Sequence, residues 1–376
     1  MAKAKEISGL DYGAAAGDGI ELILRSRFAE LRSYRDAALD WSDIKGVHDM
    51  RVASRRLRSA LRDFMPYLRQ RKLRRFNKDL KGLAAALGAV RDQDVAIKAL
   101  EKLAADAPSE VSAGIEQFVN ERRLKRDLAR SELSKIIADS ALGKLEDEFN
   151  SAIRHGLKGS RQRKAEDDDR KAAERVSCRQ AGRDVIAARL RELLDLSRSL
   201  YQPHKTKPLH EMRIVAKRLR YAIELFVPCW IEPLASFAKE IAKLQTSLGE
   251  LHDCDVWIAE IGAMLRQTEH SGGVGAGSAP VDEKTGDTSS TGDTIVDNVP
   301  EAQRRSAAIW LLDYFVAERA HHFRDALARW YEWEVTGFHA RLAAIINNET
   351  PAAEFTPAAA TPAEAVAADI KSHENS

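Results

Sequence analysis

The sequence predicts an all-α protein made of two related four-helix units, and three observations carry that prediction. Apolar residues recur at helical spacing along nearly the whole chain, and alternating strand patterns are absent. One segment, His48-Asp49-Met50-Arg51-Val52-Ala53-Ser54-Arg55-Arg56-Leu57-Arg58, is written again as His210-Glu211-Met212-Arg213-Ile214-Val215-Ala216-Lys217-Arg218-Leu219-Arg220. A polar stretch, 156–176, with Gly156, Gly159 and the charged run Arg161 to Arg175, separates the copies and reads as a hinge.

The first unit, 18–155, follows an N-terminal stretch, 1–17, expected to be disordered. Ile20, Ile23, Leu24, Phe28, Leu31 and Tyr34 give the first helix an apolar face, and Asp18 is placed to cap it. Trp41-Ser42-Asp43 closes a short connection into the second helix. There Met50, Leu57, Leu61 and Phe64 share one face. His48, Arg51, Arg55, Arg58 and Arg62 form a separate stripe about 100° away and about 21 Å long. Pro66 marks the end of this helix. The third, from about Arg71, turns Leu73, Phe76, Leu80, Leu83 and Leu87 inward. Its other side carries a second cationic strip of Arg71, Arg74, Arg75, Lys78 and Lys81, and Gly88 is expected to kink or break it. A fourth helix, from about Val111 with Ile115, Phe118, Leu124 and Leu128, runs to near Ile153.

The second unit, 177–348, repeats this order. Arg27-Phe28-Ala29-Glu30-Leu31 matches Arg189-Leu190-Arg191-Glu192-Leu193, and Pro66 matches Pro228, in the register that relates His48 to His210. The segment Leu87-Gly88-Ala89-Val90-Arg91-Asp92-Gln93-Asp94-Val95 matches Leu248-Gly249-Glu250-Leu251-His252-Asp253-Cys254-Asp255-Val256 one residue out of that register. Phe118-Val119-Asn120-Glu121-Arg122 resembles Phe315-Val316-Ala317-Glu318-Arg319 after an insertion, 271–300, rich in Gly, Ser, Thr and Asp. That composition buries too little apolar surface to offset the entropy of ordering, so a disordered loop is expected, as is a disordered acidic tail, 349–376. The aromatic-rich helix with Trp310, Phe315, Phe323, Trp330, Trp333 and Phe338 reads as packing rather than as a base-stacking surface.

Composition narrows the function classes. With 376 residues the chain is long enough for two domains with substantial cores. The net charge of +2 conceals segregation: from Lys45 to Arg91 there are 14 Lys or Arg against 3 Asp. The basic charge is therefore local, as for a binding surface. Cys178, Cys229 and Cys254 form no C-x-x-C pair, no signal-peptide core is present, and no apolar run approaches membrane-spanning length. These features predict a soluble cytoplasmic protein with no membrane partner. No P-loop, nucleotide-binding glycine pattern or zinc-finger spacing occurs, and no cofactor is expected.

A lone basic stripe is ordinarily a solvated helix face. Packing alone, however, does not require a histidine and three cations at matching places in two copies, so the repeated tracks predict a long, negative partner. Arginine's planar fork holds two phosphate oxygens at once, and a nearby phosphate favours the protonated form of His48 or His210. Catalysis by these histidines is not expected, since no nucleophile or acidic metal cluster accompanies them at a readable spacing. Asp92-x-Asp94 and Asp253-x-Asp255 are compatible with magnesium but more often pair with arginines or cap helices. His321-His322 reads as polar surface.

The motif His48-x-x-Arg51-x-x-x-Arg55-Arg56-Leu57-Arg58, its copy at His210, and the Leu-Gly-x-x-Arg/His-Asp-x-Asp-Val segment after each resemble the CHAD (conserved histidine α-helical domain) family over roughly residues 15 to 345. The resemblance implies two four-helix bundles related by an internal pseudo-two-fold, with basic helices lining a central groove or pore. It implies binding of inorganic polyphosphate and association with polyphosphate granules and their proteins. Carried over by position, the phosphate-facing set is His48, Arg51, Arg55, Arg58, Lys78, His210, Arg213, Lys217, Arg220 and Lys239. Arg62, Arg74, Lys81 and Lys243 extend the candidate set along the same helices. The E-x-E-x-K strand motif of the triphosphatase (CYTH) module often joined to such domains is absent, so a stand-alone, non-enzymatic binder is expected. The alternatives are a metal-dependent polyphosphate or nucleotide phosphohydrolase using Asp92, Asp94, Asp253 and Asp255, and a protein associated with nucleic acid or another polyanion. Arg91 becomes His252, Gly82 becomes Lys243 and Arg62 becomes Glu224 in the second copy, so unequal binding by the halves is expected.

Overall fold

A computed structural model of the protein describes Lys5 and residues 7–157, 176–230, 232–271 and 300–347. Among these residues the chain is all-α, with two isolated β-bridges, Ala15 to Ser177 and Leu68 to Leu157. The first half comprises α1 (Ala16–Ser33), the short α2 (Arg35–Leu39), α3 (Lys45–Asp63), α4 (Gln70–Asp106), α5 (Ser109–Ile136) and α6 (Asp139–Gly156). The second comprises α7 (Cys178–Asp195), α8 (Thr206–Trp230), α9 (Glu232–Ser271), α10 (Glu301–Val335) and α11 (Phe338–Asn347). Apart from α2 the order repeats, and the basic segments occupy the equivalent helices α3 and α8.

Several details differ from the sequence expectation. The fourth helix of each half is broken in two, at Ile137–Ala138 and at Thr336–Gly337, where Gly337 has a φ of 64°. The break lets α6 fold back on α4 and bury Phe149 against Phe28, at 4.5 Å, and Phe76, at 5.2 Å. Conversely, α4 runs unbroken through Gly88. Leu83, Leu87 and Val90 keep packing on either side of it, and a single glycine costs only about 1 kcal/mol against that burial. Asp18 does not cap α1; Ala15 occupies that position and Asp18 sits in the first turn, where its charge favours the helix N-terminus. The start is fixed by backbone contacts instead, Ala16 N donating to Val176 O at 2.9 Å and Cys178 N to Ala14 O at 3.0 Å.

Those contacts also order much of the stretch expected to be loose: Ile7, Leu10 and Tyr12 pack on the core. Pro66 follows α3 in a short 3-10 turn, whereas Pro228 lies inside the last turn of α8. The greater part of the expected hinge, 158–175, and the expected disordered segments at 272–299 and 348–376 lie outside the described residues.

The two units do not have separate cores. One apolar cluster runs through both, joined where Phe64, just past the end of α3, meets Phe226 of α8 edge-on at 6.0 Å. A second cluster joins the far end of the α4–α5 hairpin to that of α9–α10, through Ile97, Leu100 and Ile115 on one side and Cys254, Leu311 and Phe315 on the other. Gly114 permits this approach, since a Cβ there would lie 2.6 Å from Ala307 Cβ. Trp330 and Trp333 are buried, as a packing role requires. With contacts at both ends, α3 and α8 are held as neighbours. No described helix is long and apolar enough to cross a membrane.

Candidate functional site

The apolar faces of α3 and α8 fix the orientation of both stripes. Met50, Leu57, Leu61 and Phe64, and likewise Met212, Leu219, Ile223 and Phe226, are fully buried. Their cationic rows therefore emerge on a set side of each helix. From the first row Arg51 reaches α4, its Nη2 donating to Asp92 Oδ1 at 3.1 Å. From the second, Arg213 reaches α9, with Nη2 3.7 Å from Asp253 Oδ1. A glycine lies under each guanidinium: a Cβ on Gly88 would lie 3.8 Å from Arg51 Nε, and one on Gly249 3.6 Å from Arg213 Nε. A Cβ at either position would be in ordinary van der Waals contact with the guanidinium.

The second acid of each Asp-x-Asp pair turns the other way. Asp94 is buried 3.8 Å from Arg130 of α5, and Asp255 accepts a 2.6 Å hydrogen bond from Arg319 Nε of α10. All four acids thus face arginines, the outer two bracing the stripe and the inner two fastening the long hairpins.

Arg55 and Lys217 occupy the middle of the two rows. Both are partly buried, and among the described residues neither has a carboxylate or hydrogen-bond partner. Burial lowers the pKa of Arg55, and the neighbouring charges of Arg51 and Arg220 lower it further. Lys217 is pushed down to about 6, first by burial, then by Arg55, Arg213, Arg51 and Arg218. Arg213 is lowered by burial, opposed by Asp253, and it too feels Arg55 and Asp92 across the repeat boundary. Burial raises Asp253, which senses Asp92 as well as Arg213 and Arg51. These mutual influences mean that Arg51, Arg55, Arg213 and Lys217, drawn from two distant copies, share one electrostatic environment. A half-buried group of cations with few internal counter-charges makes the local potential positive and favours nearby negative charge.

At one end of the rows stand the histidines. His48 is half-buried, and its pKa is lowered by burial and by Arg91. His210 Nδ1 lies 3.1 Å from His252 Nδ1. Burial lowers both, His252 to about 4, with His210 and Arg213 adding to the effect on it.

The remaining candidates divide. Arg58 is exposed beside Arg55, and Arg74, Lys78, Lys81 and Lys239 are exposed on α4 and α9. On α4, positions 74, 78, 81, 88 and 92 fall on one face at helical spacing, so Arg74, Lys78 and Lys81 extend the row that reaches the Arg51 contact. Lys243 is exposed but tied to Glu240 at 2.7 Å. Arg220, which its position in the stripe puts among the candidates, is 3% exposed, 3.3 Å from Glu224 and over the Tyr221 ring. The substitution that puts Glu224 at the end of the second stripe draws it inward. Arg62 likewise turns to Ser59, at 2.8 Å, beside the Asp63–Arg189 pair that joins α3 to α7. Sequence reasoning missed Arg218, Arg130, Arg319 and the seating glycines. The repeated Leu-Gly-x-x-Arg/His-Asp segment was the signal for Gly88 and Gly249.

Comparison with known proteins agrees with this architecture. The CHAD domain of the plant Ricinus communis, a crystal structure, superposes with a TM-score of 0.57 at 20% identity, covering 87% of this chain and 96% of that one. PptA from Streptomyces chartreusis does so with a TM-score of 0.57 at 14% identity, covering 85% of this chain and 100% of that one. Among curated proteins the sequence finds no match. The likeness to the solved structures concerns the fold alone, but the sequence itself matches the CHAD domain over residues 22–262, more than half its length, and the chain therefore belongs to the CHAD family.

Proposed function

We propose that this protein binds inorganic polyphosphate, without hydrolysing it, in a groove or pore between α3 and α8 whose two walls are related by the internal repeat. The observation that supports this most directly is that Arg55, Arg213 and Arg51 all bear on the partly buried Lys217, while Arg55 and Lys217 have no carboxylate partner among the described residues. An exposed ion pair is worth only about 0 to 1 kcal/mol, so affinity must come from many contacts made together in a sheltered place. A linear chain of phosphates meets that demand because one ligand satisfies cations along the whole track. The exposed Arg58, Arg74, Lys78 and Lys81 offer it a continuation beyond the centre. The family resemblance supplies the ligand class and suggests a granule-associated or scaffolding role.

Titration of the full chain with long-chain polyphosphate, by calorimetry or filter binding at several salt concentrations, tests the reading. Expected is a dissociation constant in the low micromolar range or tighter, with affinity falling steeply as salt rises because each phosphate contact releases counterions. The double reversal Arg51→Glu with Arg213→Glu should remove most of it, whereas Arg123→Glu with Lys135→Glu, on the outer face of α5, should not. Equal effects, or no salt-sensitive binding, would end the proposal. Duplex DNA outcompeting polyphosphate at matched phosphate concentration would favour a nucleic-acid partner. Magnesium-dependent orthophosphate release, abolished by Asp92→Asn, would favour a phosphohydrolase. The engagement of Asp92, Asp94, Asp253 and Asp255 with arginines weighs against that last outcome.

A further inference from the structure

An imidazole cluster stands in the contact between α9 and α10, where His322 of α10 meets Glu250 of α9. We propose that His321, His322 and Asp325 of α10 bind a divalent transition-metal ion of the zinc class, His322 through Nε2, with Glu250 as the outer carboxylate at its Nδ1. One ligand atom from each of the three lies within 4.8 Å of the other two. His321 Nε2 is 3.6 Å from Asp325 Oδ2, one helical turn away. His322 Nδ1 is 3.3 Å from Glu250 Oε2, and His322 Nε2 is 3.6 Å from Glu318 Oε2.

These separations are long for charge-assisted hydrogen bonds, which close to about 2.7–2.9 Å. The one separation between two of the proposed ligands, 3.6 Å from His321 to Asp325, lies close to the edge of a ligand tetrahedron, since zinc bonds of about 2.0–2.1 Å put ligand atoms about 3.3 Å apart. His322 Nδ1 is buried and has no hydrogen-bond partner. With Glu250 beside Nδ1, the His322 ring can turn that N–H to an outer carboxylate while Nε2 ligates, the arrangement typical of metal-bound imidazoles.

The donor set selects the metal. Two imidazoles and one carboxylate suit zinc, copper, nickel or cobalt, whereas calcium and magnesium require oxygen donors. The His321 and Asp325 side chains are about half exposed, so water completes the coordination and the site exchanges its metal freely. The first half lacks the cluster, Ala89 standing where the second has Glu250. This assignment is independent of polyphosphate binding.

Zinc titration of the full chain against a chromophoric chelator, with magnesium in parallel, tests it. Expected is about one zinc bound per chain with micromolar affinity, no comparable magnesium binding, and visible absorption of the cobalt form typical of low coordination number. His321→Ala and Asp325→Asn, at exposed positions, should each lower zinc affinity at least about 10-fold, with circular dichroism unchanged. Glu250→Gln should weaken it about 10-fold through the outer contact. The proposal fails if zinc binds no better than magnesium, if His321→Ala and Asp325→Asn bind like wild type, or if His252→Ala removes the binding instead. That last result would place the ion at the His210–His252 pair.

Discussion

Beside His48 in the first repeat stands Arg91, whereas beside His210 in the second stands His252, ring to ring at 4.0 Å. The middle of the first row holds Arg55, the middle of the second Lys217, whose pKa is pushed down to about 6. Arg58 projects into solvent, while its counterpart Arg220 is folded against Glu224. One ancestral pattern thus presents two kinds of positive charge. Where the two rows differ, the first has arginine (Arg55, Arg91), which keeps its proton, and the second lysine or histidine (Lys217, His252), which surrender theirs when crowded. The lesson is that Arg55 and its neighbours set the field, and the second row charges in response to that field and to whatever anion enters it.

The largest test of this difference is charge reversal at its centre. Arg55→Glu should weaken polyphosphate binding by on the order of 100-fold at pH 8, since a buried charged hydrogen bond is worth about 1.5–3 kcal/mol and a repulsion replaces it. Lys217→Glu should cost less at that pH, because the wild-type lysine must first take up a proton to bind. At pH 5 the two losses should converge. Losses of equal size at pH 8 would erase the distinction between the rows.

The pH profile follows from the same residue. Phosphate favours the protonated form, so Lys217 has a higher pKa in the complex than its free value of about 6. Affinity should therefore rise as pH falls through the bound-state value and level off below about 6. His210, also lowered, adds to the rise below neutrality, and His252 only near pH 4. Lys217→Arg should flatten the profile above pH 6 and tighten binding at pH 8 by about 10-fold, one charge contact being worth roughly 1.4 kcal/mol. A slope that survives this substitution would assign the proton uptake elsewhere.

Converting one end into the other should have a smaller effect. His252→Arg, which copies Arg91 into the second half, should tighten binding at pH 7.5 by a few-fold, and Arg91→His should loosen it by a similar factor, as expected for a half-exposed contact of about 1 kcal/mol. Isothermal titration of the two variants and their combination measures both. A tightening by Arg91→His would show that this end lies off the polyanion's path.

The helices and their repeat were legible because burial imposes a period: every apolar position predicted for the face of α3, from Met50 to Phe64, is buried. The stripe residues were legible as a row, being what remains when that face is removed. Which of them stand open to solvent was not. Arg220 and Arg58 occupy the same place in the repeat, and only the Glu224 substitution, whose consequence depends on side-chain geometry, separates them. The breaks at Ala138 and Gly337 escaped because the helical period continues on both sides of each, and the reason to break lies in the core of another helix. Pairing with arginines was the favoured reading of the Asp-x-Asp acids, but not which arginines, since Arg130 on α5 and Arg319 on α10 lie far along the chain.

The smallest expected effect concerns the glycines beneath Arg51 and Arg213. Helix interiors favour alanine over glycine by about 1 kcal/mol, and the Cβ of an alanine at 88 or 249 would meet the guanidinium at an ordinary contact distance, 3.8 or 3.6 Å. Gly88→Ala should therefore raise stability by about 0.5–1 kcal/mol in thermal or denaturant unfolding, with polyphosphate affinity changed by less than about 2-fold. Gly249→Ala, with the closer contact, should gain slightly less. Gly88→Leu places its branch where Arg51 Nε lies and should lower affinity toward that of an Arg51→Ala variant, because the guanidinium loses its seat against α4 while its charge remains on the chain. Should Gly88→Leu bind as tightly as wild type, the position of that guanidinium, and not merely its presence, would be irrelevant to the site.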